Sequence, residues 1–320
     1  MQIEDSYGHV QRLYPDDVTA FLRAHLGDGI DAVERIPRGQ WSKAFSFHDR
    51  ARERDFIVRF SQLDEDFRKD QRAMAYTSAD LPVPRLVEIG EAFDGFYAIS
   101  ERAFGEVLEE RDEASMRRVL PSLLAMLDAT RRVDLSTAEG YGGWRGDGRG
   151  SHPSWRAALL GVALDTPDLR THGWCARLAH SEIGMRAFEA AFAEVERLVD
   201  ACPNERHLVH SDLLYNNVLV ADERISAVLD WGSSMYGDFL WDLAWFTFWQ
   251  PWYTAWSGID FRAAGREHFA EIGVDMPNFD ERMRCYELCI GLDGIAYQVW
   301  SSRWSDAEWT AERTLAVVRG

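Results

Sequence analysis

The sequence predicts an α+β chain of two lobes, a small antiparallel sheet carrying helices and then a larger, mostly helical lobe. Three observations predict it. Short apolar or alternating runs crowd the first hundred residues, long stretches of helical spacing begin near residue 114, and one strand–turn–strand block at 207–232 interrupts the helices. The expected boundaries are 1–100 for the first lobe, 101–105 for a hinge and 106–320 for the second.

Taken in order, Val18, Phe21, Leu22 and Leu26 recur at helical spacing and end at Gly27. Residues 44–47 and 55–60 flank the charged turn HDRARER and read as a hairpin. Residues 64–79 read as a helix, stopped by the prolines of 81–84, and 85–90 and 96–100 as two further strands. Beyond them, 114–133 and 181–201 are helical, the first with Met116, Val119, Leu120, Leu123, Leu124 and Leu127 on its apolar stripe. Between these helices the glycine-dense stretch 140–154 is expected to be a mobile surface loop.

Thirty-five basic against 53 acidic side chains give a formal charge of −18, which argues against nucleic-acid or anionic-membrane partners because phosphate needs a cationic surface. The acidity suits a cationic partner or simply aids solubility. Residues 201–320 hold 9 basic and 18 acidic groups, so the excess falls in the helical lobe. Lys43 and Lys69 are the only lysines. Four irregularly spaced cysteines suggest buried free thiols, not a disulfide framework or a zinc site. The N-terminus lacks a signal-peptide core, and the apolar stretch 239–252 is broken by Asp242, Gln250 and Pro251. A soluble, cytoplasmic monomer is expected.

The chemistry concentrates in 207–232, HLVHSDLLYNNVLVADERISAVLDWG. Residues 218–220 and 225–229 should pair around the turn 221–224, which brings Asn217 beside Asp230 at one end of a hairpin. Two hard oxygen ligands there suit Mg2+ on a nucleotide phosphate. Asp212, five residues before Asn217, can face an incoming hydroxyl. The spacing H-x-D-x-x-x-x-N, then a hairpin, then Asp, is that of protein-kinase-like phosphotransferases, and His210, Asp212, Asn217 and Asp230 fit it. Asn216 competes with Asn217, but the five-residue offset favours the latter. Upstream, the turn 39–43 would cover phosphates through the backbone of Gly39 and through Ser42, while Lys43 either reaches the nucleotide or decorates the strand.

The chain resembles the aminoglycoside phosphotransferase family along nearly its whole length. The resemblance is carried by WSKAFSF (41–47), LPVPRLVEIGE (81–91), CPNERHLVHSDLLYNNVL (202–219), ISAVLDW (225–231), MYGDF (235–239), TFWQPW (247–252), CIGLDG (289–294) and DAEW (306–309). It implies a protein-kinase-like fold and transfer of the γ-phosphoryl of ATP or GTP, with Mg2+, to a hydroxyl of a cationic aminoglycoside, hygromycin B. Asp212 would orient that hydroxyl and accept its proton. Where protein kinases carry a phosphate-gripping lysine, this chain has Arg59; its acidic partner would be Asp70, with Glu65 and Asp66 as alternatives. The backbone of Ser100, Glu101 and Ala103 would meet the base. Asp238 would cap a helix or contact the acceptor, and Asp242 would anchor the loop near His210. Asp293 is an acceptor contact or a solvated acid, and the aromatic cluster 241–253 is core with some members lining a pocket. Two other functions suit the same residues: a non-catalytic nucleotide-binding regulator, or a kinase for choline or another metabolic amine.

Overall fold

The structure of the protein is a computed structural model describing residues 13–37 and 41–320. It divides into two compact units, residues 13–106 with 217–232 and residues 107–216 with 233–320. The hairpin expected in the second lobe therefore belongs to the first. The reason is bonding: Val228 donates its N–H to the Pro82 carbonyl at 2.8 Å, and Ser226 Oγ donates to Phe104 O at 2.9 Å.

In the first unit, α1 (Pro15–Leu26) precedes an antiparallel five-stranded sheet of β1 (Ile30–Ile36), β2 (Lys43–Asp49), β3 (Arg54–Ser61), β4 (Leu86–Ala92) and β5 (Gly95–Glu101), in spatial order β1-β2-β3-β5-β4. Strand alternation divides its side chains between two faces. Phe45, Phe47, Phe56, Val58, Phe60, Tyr97 and Ile99 pack on Val18 and Leu22 of α1. On the opposite face, Leu86 and Ala98 pack on Phe67 of α2 (Glu65–Ala73). Arg59, between Val58 and Phe60 and in register with Ala98, therefore points to the α2 side. The sequence pattern missed β1, where a register shift between Asp31 and Glu34 and a left-handed Ala32 break the alternation. It also overran α2, which tightens into a 3-10 turn at Met74–Tyr76. The later hairpin pairs Val218–Ala221 with Arg224–Val228 around Asp222 and Glu223, both at positive φ as a tight two-residue turn requires.

The second unit is mainly helical: α3 (Glu113–Arg131), α4 (Trp155–Leu160), α5 (Trp174–Leu178), α6 (Glu182–Leu198), α7 (Leu240–Trp249), α8 (Phe261–Glu271), α9 (Phe279–Trp300) and α10 (Trp304–Arg319). Asp112 caps α3 by accepting from Ser115 N–H at 2.8 Å, and Ser181 caps α6 from Gly184 N–H at 3.1 Å. Trp174 and Leu178 of α5, Ala187 of α6, Ile295 and Val299 of α9 and Ala307 and Ala311 of α10 share one core. Among the described residues no helix is long and apolar enough to cross a membrane. Cys285 and Cys289 are buried free thiols.

The glycine-dense stretch is not a loose loop. Tyr141–Trp144 and Gly150–His152 pair with each other and extend through Met235–Gly237 to His207–Val209, a four-stranded sheet under the segment that enters the catalytic loop. The glycines permit close backbone approach: at Gly140, with φ +74°, a Cβ would sit 2.6 Å from Gly150 O. Gly140→Ala should therefore lose about 1–3 kcal/mol from strain alone, read as a lower Tm in a thermal melt. An unchanged Tm would mean that the two strands can separate without loss.

Candidate active site

The catalytic loop belongs to the second unit as far as Asn216. It leaves the strand His207–Val209 and turns through Ser211, Tyr215 and Asn216, all left-handed at φ 64°, 62° and 73°. Non-glycine residues hold such angles only where surrounding bonds impose them. Here Asp242, in the first turn of α7, imposes the first: its two carboxylate oxygens accept the N–H groups of His210 and Ser211, each at 2.8 Å. The indole N–H of Trp241 adds a bond to Ser211 Oγ at 3.0 Å. Asp212 N–H donates to His210 Nδ1 at 3.2 Å, which assigns the ring proton to Nε2. Asn216 N–H donates to Glu109 Oε1 at 2.6 Å.

His210 is 0% exposed, so its expected catalytic role is corrected to one of positioning: it fixes the backbone of Asp212 and has no surface to offer a substrate. Asp212 keeps partial access to solvent. Asp238, expected as an acceptor contact, is also corrected. Its fully buried carboxylate takes both Nε and Nη2 of Arg282, at 2.8 and 2.7 Å, together with the Tyr286 hydroxyl and the Leu240 N–H. No lone pair faces an acceptor. It ties α7 to α9.

Beside Tyr215, three residues after Asp212, the second unit gathers aromatic rings. Tyr215 meets Trp249 edge-on at 6.2 Å, Trp249 stacks on Trp309 at 5.9 Å, and Trp252 abuts Trp309 at 4.7 Å. The Tyr215 and Tyr253 hydroxyls are held above the usual phenol range, first by surrounding protein and further by the Asp212 carboxylate. Asp306 raises Tyr215 too. Asp293 lies on α9 one turn before Tyr297 and keeps solvent exposure, yet the protein around it pushes its carboxyl up to about 6. Tyr253 was legible as a member of the aromatic cluster and Asp306 and Tyr215 as parts of the family-like stretches, but no local spacing links the three to Asp212; the fold gathers them.

In the first unit, Asn217 and Asp230 stand at the same end of the hairpin, where Leu229 N–H donates to Asn217 O at 2.7 Å. Asp230 is left-handed (φ 56°) and its side chain is exposed. Surrounding protein, and then Asp70 and Asp66, push its carboxyl up, while Arg59 opposes the shift. Asp70 is the acid that meets Arg59: one of its oxygens pairs with Nη2, and the other accepts Trp231 N–H at 2.9 Å. The Arg59 guanidinium also lies 5.1 Å over the Phe67 ring. Lys43 opens β2, and partial burial together with Arg35 holds its ammonium below the usual lysine range. Arg35 and Lys43 bracket in sequence the turn expected to cover phosphates, of which Ser42 is described while Gly39 lies outside the described residues. Of the expected base-binding backbone, the Glu101 N–H is already bonded to Arg85 O at 2.8 Å and Ser100 lies within the β4–β5 ladder. Ala103 lies past the strand end.

Residues 32–280 match the sequence model of the phosphotransferase enzyme family. The chain belongs to that family. Over 294 residues this phosphotransferase is 31% identical to the hygromycin-B 4-O-kinase of Escherichia coli, spanning 91% of this chain and 82% of that one. A thermostable mutant of aminoglycoside phosphotransferase APH(4)-Ia, crystallised as a ternary complex with AMP-PNP and hygromycin B, superposes with a TM-score of 0.81 at 30% identity, covering 94% and 98% of the two chains. Spectinomycin phosphotransferase APH(9)-Ia matches at a TM-score of 0.63 and 14% identity over 96% and 99%, a likeness of fold. The fold is protein-kinase-like.

Asp242→Asn tests the loop anchor. An amide offers one acceptor oxygen where the carboxylate offers two, so one backbone N–H is left facing an NH2, at a loss of about 1–3 kcal/mol. Burial raises the Asp242 carboxyl from 3.8 to about 6, so ionising it opposes folding; stability is fullest below pH 3.8 and falls as pH rises through about 6. In the Asp242→Asn enzyme that part of the pH–stability profile should flatten while kcat drops. Unchanged kcat would place the loop's geometry in other hands.

Proposed function

We propose that this phosphotransferase moves the γ-phosphoryl group of ATP or GTP to a hydroxyl of an aminoglycoside, hygromycin B, acting as a cytoplasmic monomer. The observation that carries the proposal is the setting of Asp212: a carboxylate on a rigidly anchored loop, within electrostatic reach of the Tyr215 and Tyr253 hydroxyls. Such a surface suits a polycationic sugar, since aromatic faces and carboxylates both attract ammonium groups. Kinship at 31% identity with a hygromycin-B kinase supports hygromycin B as the acceptor of this proposal.

The chemistry assigned to the chain is mostly positioning and charge compensation. Asp212 orients the acceptor hydroxyl and takes its proton as the new O–P bond forms and the β–γ bridging P–O bond breaks, leaving the diphosphate. Asn217 and Asp230 would hold Mg2+ on the nucleotide. The donor set fits: both are hard oxygen ligands, and the Asp66, Asp70 and Asp230 carboxylates outnumber the Arg59 and Lys69 cations by one, leaving a negative site for a dication. Among the described residues no three His, Cys, Asp or Glu side chains form a complete cage, and Mg2+ on a nucleotide needs only one or two protein ligands. Bound there, the ion would neutralise phosphate charge. Arg59, fixed by Asp70, sets the potential of this site, and Lys43 with Arg35 would draw the phosphates to the turn above β2.

Purified protein with magnesium-ATP or magnesium-GTP should release the diphosphate when given hygromycin B, and Asp212→Asn should cut kcat by about 10²–10⁴-fold while sparing nucleotide affinity. Turnover on choline or another amine, with none across aminoglycosides, would reassign the acceptor. Nucleotide binding without transfer to any acceptor would indicate a regulator.

Acceptor binding should also follow charge. As Asp293 ionises through about pH 6, KM for hygromycin B should fall, and Asp293→Asn should flatten that dependence. Raising salt from about 0.05 to about 0.5 M should lower kcat/KM, because the screening length shrinks severalfold. Salt-insensitive kcat/KM, with an Asp293→Asn enzyme that behaves as wild type, would assign the acidity to solubility alone.

A further inference from the structure

Only two lysines occur in the chain, and one of them, Lys69 on α2, is 5% exposed. Lysine is rarely buried, because an ammonium withdrawn from water is costly unless its protons are taken up. The Lys69 Nζ donates to the main-chain carbonyl of Gly232 at 2.5 Å, two residues beyond Asp230. Its helical neighbours converge on the same short segment. Asp70 accepts the N–H of Trp231 at 2.9 Å, and the Asp66 carboxyl lies so close to Gly232 that a Cβ there would come within 3.1 Å of it. One turn of α2 thus grips the segment Asp230-Trp231-Gly232 through a carbonyl, an N–H and a close side-chain approach.

That grip answers a specific need. Asp230 sits in the left-handed region at φ 56°, a conformation open to aspartate but only one of several it can take, so its surroundings must select it. Its own carboxylate helps, accepting Gly232 N–H at 3.3 Å. The orientation of the Gly232 carbonyl is set by Lys69. A lysine serving only to neutralise the surrounding acids would need no main-chain partner; one bonded to a carbonyl fixes the direction of the backbone and, through it, of the side chain two residues earlier.

We infer that Lys69 is a positioning residue for metal-dependent nucleotide binding, holding the Asp230–Gly232 segment in the conformation that presents the Asp230 carboxylate to the metal. It rests on the proposal that Asn217 and Asp230 hold Mg2+. Residues outside the ligand set that orient a metal ligand typically contribute about 10–100-fold to metal affinity or activity.

The test reads binding as well as turnover. ADP is titrated calorimetrically into wild-type protein, Lys69→Met, Lys69→Gln and Lys69→Arg, with and without Mg2+. Wild-type protein should bind ADP more tightly with the metal. Lys69→Met should lose about 10–100-fold of that metal-dependent gain while metal-free ADP binds as in wild type. Lys69→Gln and Lys69→Arg, which keep a donor, should recover part of it. In turnover, the Mg2+ concentration for half-maximal velocity should rise in Lys69→Met and KM for hygromycin B should stay unchanged. If Lys69→Met does not fold, Lys69→Gln carries the same comparison. A folded variant with the full wild-type metal gain overturns the inference and leaves Lys69 a structural group. Wild-type protein that binds ADP equally with and without Mg2+ overturns the metal assignment itself, and this inference with it. The binding arm uses no acceptor, so an error about hygromycin B does not reach it.

Discussion

A carboxylate taken out of water must be given hydrogen-bond donors, and three aspartates under that constraint set the geometry on which the proposed chemistry depends. Asp70 receives Arg59 and Trp231 N–H, joining β3, α2 and the segment after the hairpin. Asp242 receives two consecutive N–H groups and so dictates the turn at Ser211. Asp238 receives a bidentate guanidinium, a phenol and an N–H, locking α7 to α9. In each case at least one donor comes from a chain segment remote in sequence, so a local demand for charge compensation acts as a long-range tether. Asp242 is given only neutral donors, and burial raises its carboxyl to about 6 against the pull of the two N–H bonds.

The tethers allow a second feature, the concentration of left-handed residues at Ser211, Tyr215, Asn216 and Asp230. Ser211 and Tyr215 are unfavourable there in an isolated chain, while Asn216 and Asp230 are of the residue types that visit the region readily. Together they turn the backbone sharply enough for Asp212 and Asp230 to keep solvent access while His210, Asn217 and Trp231 beside them are buried. Exposed carboxylates on over-determined backbone are what a reaction governed by positioning requires.

Much of this was legible in the sequence because it is local. The hairpin after Asn217, the offsets among His210, Asp212, Asn217 and Asp230, and the helical stripe of α3 all follow from spacing over a few residues. The assignments that changed depend on distant partners. Nothing near Asp238 in the chain announces Arg282, 44 residues on, which buries it. The dense glycines of 140–154 looked mobile because glycine commonly marks loops, yet they serve a sheet whose other strands lie at 207–209 and 235–237. Lys69 resembled any surface lysine of a charged helix until the chain brought Gly232 to it across 163 residues. β1 was hidden by its own bulge.

The discontinuity of the first unit has a consequence for synthesis. Residues up to 106 leave the ribosome well before 217–232, with about 110 residues of the other unit made in between. At about 5–20 residues per second this is a wait of roughly 5–20 s. Throughout that interval the nascent sheet has no hairpin to bond Pro82 and Phe104, and buried Lys69 and Asp70 lack the backbone partners that Gly232 and Trp231 later bring. Completion of the early unit therefore waits on a segment delivered from within the second unit, and its last bonds form only after most of the chain has been made.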